Sequence, residues 1–164
     1  AAWDLYDQCE LVALASWQAN VKDGNTLGHL GVRDFYRDAH AAAARLGMVD
    51  MTLLRVDGRP SAFMYSYHHQ GQVFGLRMGY DASLPFPGLG RGLLLWTLRD
   101  GFARGDKWFE LGPGDEAYKQ PLRTRCVETS QLTHTPRGAW KPQMIRAARW
   151  LRDRAPLSTA QRAS

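Results

Sequence analysis

The sequence predicts an α+β domain, a mixed and mostly antiparallel sheet flanked by helices, on three observations. Two stretches with apolar residues at helical spacing come first. Three stretches of period two follow them, broken by hairpin-type turns. A glycine-rich segment then opens a helix that is apolar around most of its circumference, the pattern of a helix buried against a sheet.

The elements follow in order. Residues 4–19 place Leu5, Cys9, Val12, Ala13 and Ser16/Trp17 on one side of a helix with Asp4 as its cap, and Lys22-Asp23-Gly24-Asn25 breaks it. A second helix over 32–46 carries Val32, Phe35/Tyr36, Ala39, Ala42/Ala43 and Leu46, with Gly47 at the stop position. Strands are predicted over 51–56, 61–67 and 72–80. Asp57-Gly58 and His69-Gln70-Gly71 turn them into an antiparallel meander. Asp81 to Pro87 holds two prolines and is irregular. The apolar helix then runs over 90–104, with Gly105 ending it. A short strand over 107–111, a forced turn at Gly112-Pro113-Gly114, and a short helix through Lys119 capped by Asp115 come next. A strand over 125–133 and a basic helix over 142–154 complete the order, and there is no internal repeat.

Length and composition bound the rest. At 164 residues, 45 % of them hydrophobic, the chain has material for one core, so residues 1–155 are expected to form one domain and 156–164 a flexible tail. The formal charge of +5 comes from 17 Arg and 4 Lys against 16 acidic residues, and it thickens at Arg146, Arg149, Arg152 and Arg154. Such a balance favours anionic partners without naming them, and a solvated basic face is the plain reading of that helix. Cys9 and Cys126 stand in no metal-ligand spacing and form no disulfide framework, so neither a metal site nor an oxidising compartment is expected. A reducing cytoplasm is the expected setting. No run approaches the ~18 apolar residues of a membrane span. The chain opens on Ala1, almost directly in a helical pattern, and is expected to be a domain of a longer polypeptide.

Chemistry concentrates at Pro87-Gly88-Leu89-Gly90-Arg91-Gly92. A glycine-rich turn at a helix N-terminus presents successive N–H groups and a partial positive charge, which suits a phosphate or pyrophosphate. A dinucleotide-binding fingerprint would need a leading parallel strand, and an antiparallel meander precedes this loop instead. A Walker loop would end in Gly-Lys-Ser/Thr, and Arg91-Gly92-Leu93 does not. An acyl-CoA loop and a ligand-free structural turn both remain.

This element order, with that loop, resembles the GNAT acyltransferases, whose pyrophosphate loop has the form Gln/Arg-x-x-Gly-x-Gly/Ala. Residues 87–92 match it except that Pro87 stands at the first position. Over 5–135 the chain is similar to the BioF2-like, CelD-type branch related to the FemAB transferases. The matching stretches are Leu53 to Ala62, Gly79-Tyr80-Asp81, Pro87-Gly88, and the most specific, Phe109-Glu110-Leu111-Gly112-Pro113-Gly114-Asp115-Glu116-Ala117-Tyr118-Lys119. The resemblance implies a GNAT fold and acetyl-CoA or another acyl-CoA as co-substrate, bound in a V-shaped opening between the strand ending at Tyr80 and the one beginning at Lys107. It also implies an oxyanion donor from backbone N–H groups near Tyr80 and Asp81, and Tyr118 as proton donor to the leaving thiolate. In that branch two such halves often share a chain. This sequence is similar to the second, lacking the family's first strand, so a preceding GNAT-like half or a second copy is an implied partner.

Acyl transfer to an amine needs a base, because an amine of pKa near 10 is mostly protonated at neutral pH. Glu110, on the strand facing the cofactor helix, is the first candidate, with a solvent-facing strand residue as its plain alternative. Asp115, Glu116 and Lys119 follow as substrate-binding candidates, although Asp115 also reads as a helix cap and Lys119 as a helix-end cation. His68 and His69 point to opposite faces, so one at most can face a cleft. The expected reaction is direct transfer to a small-molecule, glycan or peptide amine. A FemAB-like transfer from aminoacyl-tRNA, a non-catalytic GNAT-like binding module, and a plain nucleic-acid binder are the alternatives.

Overall fold

In a computed structural model, the described residues are 2–20, 26–130, 132, 140, 143–145, 147, 148 and 150. They fall in two compact units, Ala1–Thr124 and Arg125–Ser164. In the second, residues 140, 143–145, 147, 148 and 150 are helical, within and just ahead of the helix expected over 142–154. The strand expected over 125–133 is corrected: residues 125–130 and 132 are exposed and irregular, because among the described residues no strand offers them a ladder. Residues 156–164 lie outside the described residues, and no described helix is long and apolar enough to cross a membrane.

The first unit opens with α1 (Trp3–Ala15), capped by Ala2 with no side-chain bond. Asp4 is therefore not the cap; it lies in the first turn, where its charge meets the helix dipole. Ser16 ends α1 earlier than expected, its backbone extended and its hydroxyl donating to Ala13 C=O at 2.8 Å, and residues 17–20 form a 3₁₀ turn. α2 (Arg33–Arg45) closes through Gly47, whose φ of +66° lets Gly47 N–H reach Ala44 C=O and Met48 N–H reach Ala43 C=O, at 3.1 and 2.9 Å.

β1 (Val49–Val56), β2 (Arg59–His69) and β3 (Gln72–Tyr80) form the antiparallel meander, with left-handed pairs Asp57-Gly58 and Gln70-Gly71 in the turns. α3 (Leu89–Arg104) crosses back, and β4 (Trp108–Glu110) lies parallel to β3, giving the order β1-β2-β3-β4. The sheet separates two cores. Phe63 and Tyr65 of β2 meet Tyr6, Cys9, Val12 and Tyr36 of α1 and α2, while Ala62 and Met64 meet Leu93 and Leu94 of α3. Strand alternation assigns the two sets. α3 is less covered than its composition predicts, since Leu95, Trp96 and Phe102 are exposed.

Candidate active site

The site begins where two parallel strands part. β3 and β4 share three pairs, Gln72↔Trp108, Val73↔Phe109 and Phe74↔Glu110. β4 then ends, and the chain turns away through Gly112 and Gly114, both left-handed, while β3 continues to Tyr80. The parting point is close-packed: a Cβ on Gly75 would sit 2.9 Å from Glu110 C=O and 2.9 Å from Met64 Cε. Directly beyond it, Tyr65 pairs with Arg77 and Ser66 with Gly75, so Leu76 is an extra residue, a β-bulge in β3. Sequence reasoning missed this bulge, although Gly75 inside the strand pattern is a signal for one.

Past the bulge the ladder phase is fixed by Asp81 N–H, which donates to Ser61 C=O at 2.8 Å. Alternation in an antiparallel pair then turns the N–H and C=O of Tyr80 and Met78 away from β2, toward the edge that β4 has left. Of the two residues read from the sequence, Asp81 spends its N–H on Ser61, while Tyr80 N–H faces the open edge together with Met78 N–H. Asp81 is buried and occupied: its carboxylate accepts from Ser83 N–H (2.9 Å), the Ser83 hydroxyl (2.6 Å) and Arg59 (2.6 Å). The Ser83 hydroxyl bond, with Arg59 adding to it, holds this carboxyl below its ordinary 3.8.

The glycine loop abuts the same end of β3. Gly88 caps α3 at φ +84°, a conformation that favours glycine, and the first helical bond runs from Gly92 N–H to Gly88 C=O at 2.8 Å. The N–H groups of Leu89, Gly90 and Arg91 precede that bond and have no intrahelical acceptor. A Cβ on Gly90 would lie 3.2 Å from the Tyr80 ring, so the loop seats on Tyr80 because Gly90 has no side chain. Nothing lies within 4 Å of the corresponding positions on Gly88 and Gly92, and Pro87 and Arg91 are exposed.

On the other side of the opening, Phe109 packs into the α3 core, so Glu110 projects from the opposite face, the one covered by α1 and α2. The strand meets the α3 core through Phe109, while Glu110 itself points away from that helix. Glu110 is exposed and forms no ion pair or side-chain hydrogen bond among the described residues.

Residues 115–119 do not form the expected helix. Gly114 at φ +99° and Pro121 leave room for turns alone, and Asp115, exposed, pairs with Arg123 rather than capping. Lys119, 6 % exposed, is folded inward: its Nζ donates to Pro113 C=O at 2.8 Å and to Gly112 C=O at 3.3 Å, and pairs with Glu116 at 2.7 Å. That bond from Lys119 lowers the Glu116 carboxyl. Lys119 thereby clamps the 112–116 turn bordering the opening. Tyr118 remains partly exposed beside it, its hydroxyl pushed up by burial and drawn down by Lys119. His68 and His69 stand at the far hairpin, where His68 Nε2 meets Asp106 Oδ1 at 2.8 Å. A shallow hollow between α1, α2 and β1 has Asp50 as its titratable residue, already paired with Arg104 at 2.9 Å, so the chemistry-bearing groups gather at the strand opening instead.

Known proteins share this architecture. The fold aligns with a GNAT family acetyltransferase from Brucella melitensis in complex with acetyl-CoA (17 % identity, 74 % of this chain and 77 % of that one, TM-score 0.54). It aligns with the ribosomal-protein-S18-alanine N-acetyltransferase from Escherichia coli (16 %, 74 % and 72 %, TM-score 0.52). It also aligns with the aminoglycoside acetyltransferase AAC(6')-Iy in complex with a CoA bisubstrate analog (13 %, 82 % and 93 %, TM-score 0.53). At these identities the likeness carries the fold. No curated protein sequence matches the chain. A sequence model of the Acetyltransferase (GNAT) domain matches residues 1–120. The chain belongs to the GNAT acetyltransferase family, and its domain is an acyltransferase.

Proposed function

We propose that this domain transfers an acyl group, acetyl in the first instance, from acyl-CoA to an amine by direct attack. The observation that carries the reading is the opening between β3 and β4 bordered by the N-terminus of α3, where unclaimed main-chain donors from both elements converge. Solved proteins of the same fold hold acetyl-CoA or a CoA bisubstrate analog. Within the family, the stretch from Phe109 to Lys119 favours the BioF2-like branch.

In this reading the pyrophosphate lies on residues 87–92, against the N–H groups of Leu89, Gly90 and Arg91. The thioester arm runs along the open edge of β3, where Met78 or Tyr80 N–H polarises the carbonyl. Glu110 takes a proton from the attacking amine, directly or through water, as the N–C bond forms. The C–S bond then breaks and Tyr118 supplies a proton to the thiolate; its raised pKa keeps the phenol protonated for that role. Asp115 and Glu116 border the acceptor path, and Lys119 holds their turn in place.

Calorimetric titration of the whole chain with acetyl-CoA and CoA, at low and moderate salt, tests the reading beside a Gly92→Glu variant. The new carboxylate would project into open space at the loop without a steric clash, while repelling a pyrophosphate. Saturable binding weakened about tenfold or more in the variant is expected, from charge repulsion at close range. A folded parent that binds neither ligand would sink the proposal.

A further inference from the structure

The face of the sheet that carries Glu110 also carries an arginine that forms no ion pair among the described residues. Arg77 pairs across the ladder with Tyr65, which belongs to the α1/α2 core, so the two side chains share that face. Phe74 pairs with Tyr67, a neighbour of the same core, and Glu110 pairs with Phe74. Arg77 and Glu110 thus flank the strand opening on one side of the sheet, while α3 and its glycine loop lie on the other.

Arg77 is half-buried. Its guanidinium stacks on Tyr36 with Cζ 5.2 Å from the ring centroid, and Nη1 donates to Leu76 C=O at 2.6 Å. Its Nε is buried and has no acceptor. The ring beneath it does not cancel the guanidinium charge, and a buried N–H without an acceptor is an unfavourable arrangement that folded proteins rarely keep. Three nearby carboxylates are committed elsewhere: Glu10 to Arg33 and Arg37, Asp7 to Arg37, and Asp81 to Arg59. Arg77 forms no ion pair among the described residues.

We infer that the amine acceptor carries a carboxylate, which Arg77 receives while Glu110 takes the proton from the amine. This deepens the acyl-transfer reading above and rests on it for the role of Glu110. Three residues along β3 separate Arg77 from the partner of Glu110, about 10 Å of strand, which is within the combined reach of the two side chains and a small ligand. A cationic amine is drawn to the free Glu110 carboxylate and an anion to the guanidinium fork, so the pair selects zwitterions of the amino-acid kind, with amine and carboxylate a few bonds apart.

The test compares 4-aminobutyrate with butylamine, which share a carbon chain and differ in the carboxylate, as ligands of the CoA-loaded whole chain by calorimetry. The acid is expected to bind about tenfold or more tightly than the amine, the yield of one desolvated charged contact. In Arg77→Gln that ratio collapses, and Arg77→Lys retains part of it. Equal binding of the two probes, binding of neither, or an Arg77→Gln variant that weakens both while keeping their ratio would each overturn the inference. Titration with CoA alone separates the two readings. CoA binding without an acid preference removes the acceptor class and leaves the transfer reading standing; no CoA binding removes the transfer reading, and the acid preference of the free protein then decides Arg77 by itself.

Discussion

Gly75→Ala places one methyl group where β3 and β4 lie closest, and its cost follows from what that methyl meets. Glu110 C=O stands 2.9 Å from the new Cβ and is backbone, so it retreats only if β4 moves. Met64 Cε, also 2.9 Å away, belongs to a side chain 5 % exposed and already packed against α3. Overpacking of this kind costs about 1–3 kcal/mol, and the backbone contact puts this site in the upper half. For a unit of this size roughly 4 °C of melting temperature is lost per kcal/mol, so thermal unfolding followed by circular dichroism should fall by roughly 8–12 °C. Gly92→Ala is the matched control. The same methyl there enters space with no atom within 4 Å, inside α3, where alanine exceeds glycine by up to about 1 kcal/mol, so this variant should melt above the parent. The Gly75→Ala protein should also lose acyl transfer beyond its loss of folded fraction, because Glu110 moves with its own carbonyl. A Gly75→Ala protein that melts with the parent would refute the close approach of the strands and the argument built on it.

Further outcomes are expected elsewhere. Glu110→Gln should lower kcat by roughly 10²–10⁴ with acyl-CoA affinity retained, measured by thiol release. Lys119→Met removes the ammonium that holds the Gly112 and Pro113 carbonyls and should cost about 1–3 kcal/mol, with faster proteolysis of residues 112–120 as the local readout. Asp81 has a lowered folded pKa, so its share of stability is present above the unfolded value of 3.8 and is lost as pH falls through the folded one; Asp81→Asn should flatten the stability curve in that acid range. Burial lowers the pKa of His40 from 6.5, so the unfolded chain binds the proton first and stability falls as pH drops below that value; His40→Gln should remove that slope in urea titrations.

What was legible in the sequence was local. Asp57-Gly58 and Gln70-Gly71 supply the left-handed pairs a tight hairpin demands, so the meander could be read from spacing alone. The loop at 87–92 and the stop at Gly105 were legible for the same reason, since glycine marks both ends of α3. The opening was not. Gly75 matters because of a carbonyl 35 positions later in the chain, and the bulge at Leu76 is visible only once Tyr65 and Ser66 have chosen their partners. The misread helix at 115–119 had a good cap residue in Asp115, but burying Lys119 onto the Gly112 and Pro113 carbonyls organises that segment as a turn. The alternation over 125–133 likewise satisfied a strand pattern, but among the described residues no strand pairs with it.

The bulge joins these facts to the chemistry. Without Leu76 as an extra residue, β3 could keep its register with β2 and its main-chain groups would continue to face a full-length β4. With it, the strands part directly after Glu110, and the edge of Met78 and Tyr80 is left open beside the N-terminus of α3. Under the proposed function, a thioester held by the glycine loop would approach from the α3 face, with Glu110 and Arg77 on the α1/α2 face. In the same proposal an acceptor bound there would reach the carbonyl through the gap itself, its amine directed by the carboxylate at one rim and its own anion held at the other. In the proposed reading such an arrangement brings nucleophile and thioester together without an enzyme-bound intermediate, and within the first unit Cys9 lies buried in the α1 core. If transfer were instead to proceed through a covalent acyl-cysteine, the Cys9→Ala, Cys126→Ala double variant would be inactive; under direct attack it keeps the turnover of its folded fraction.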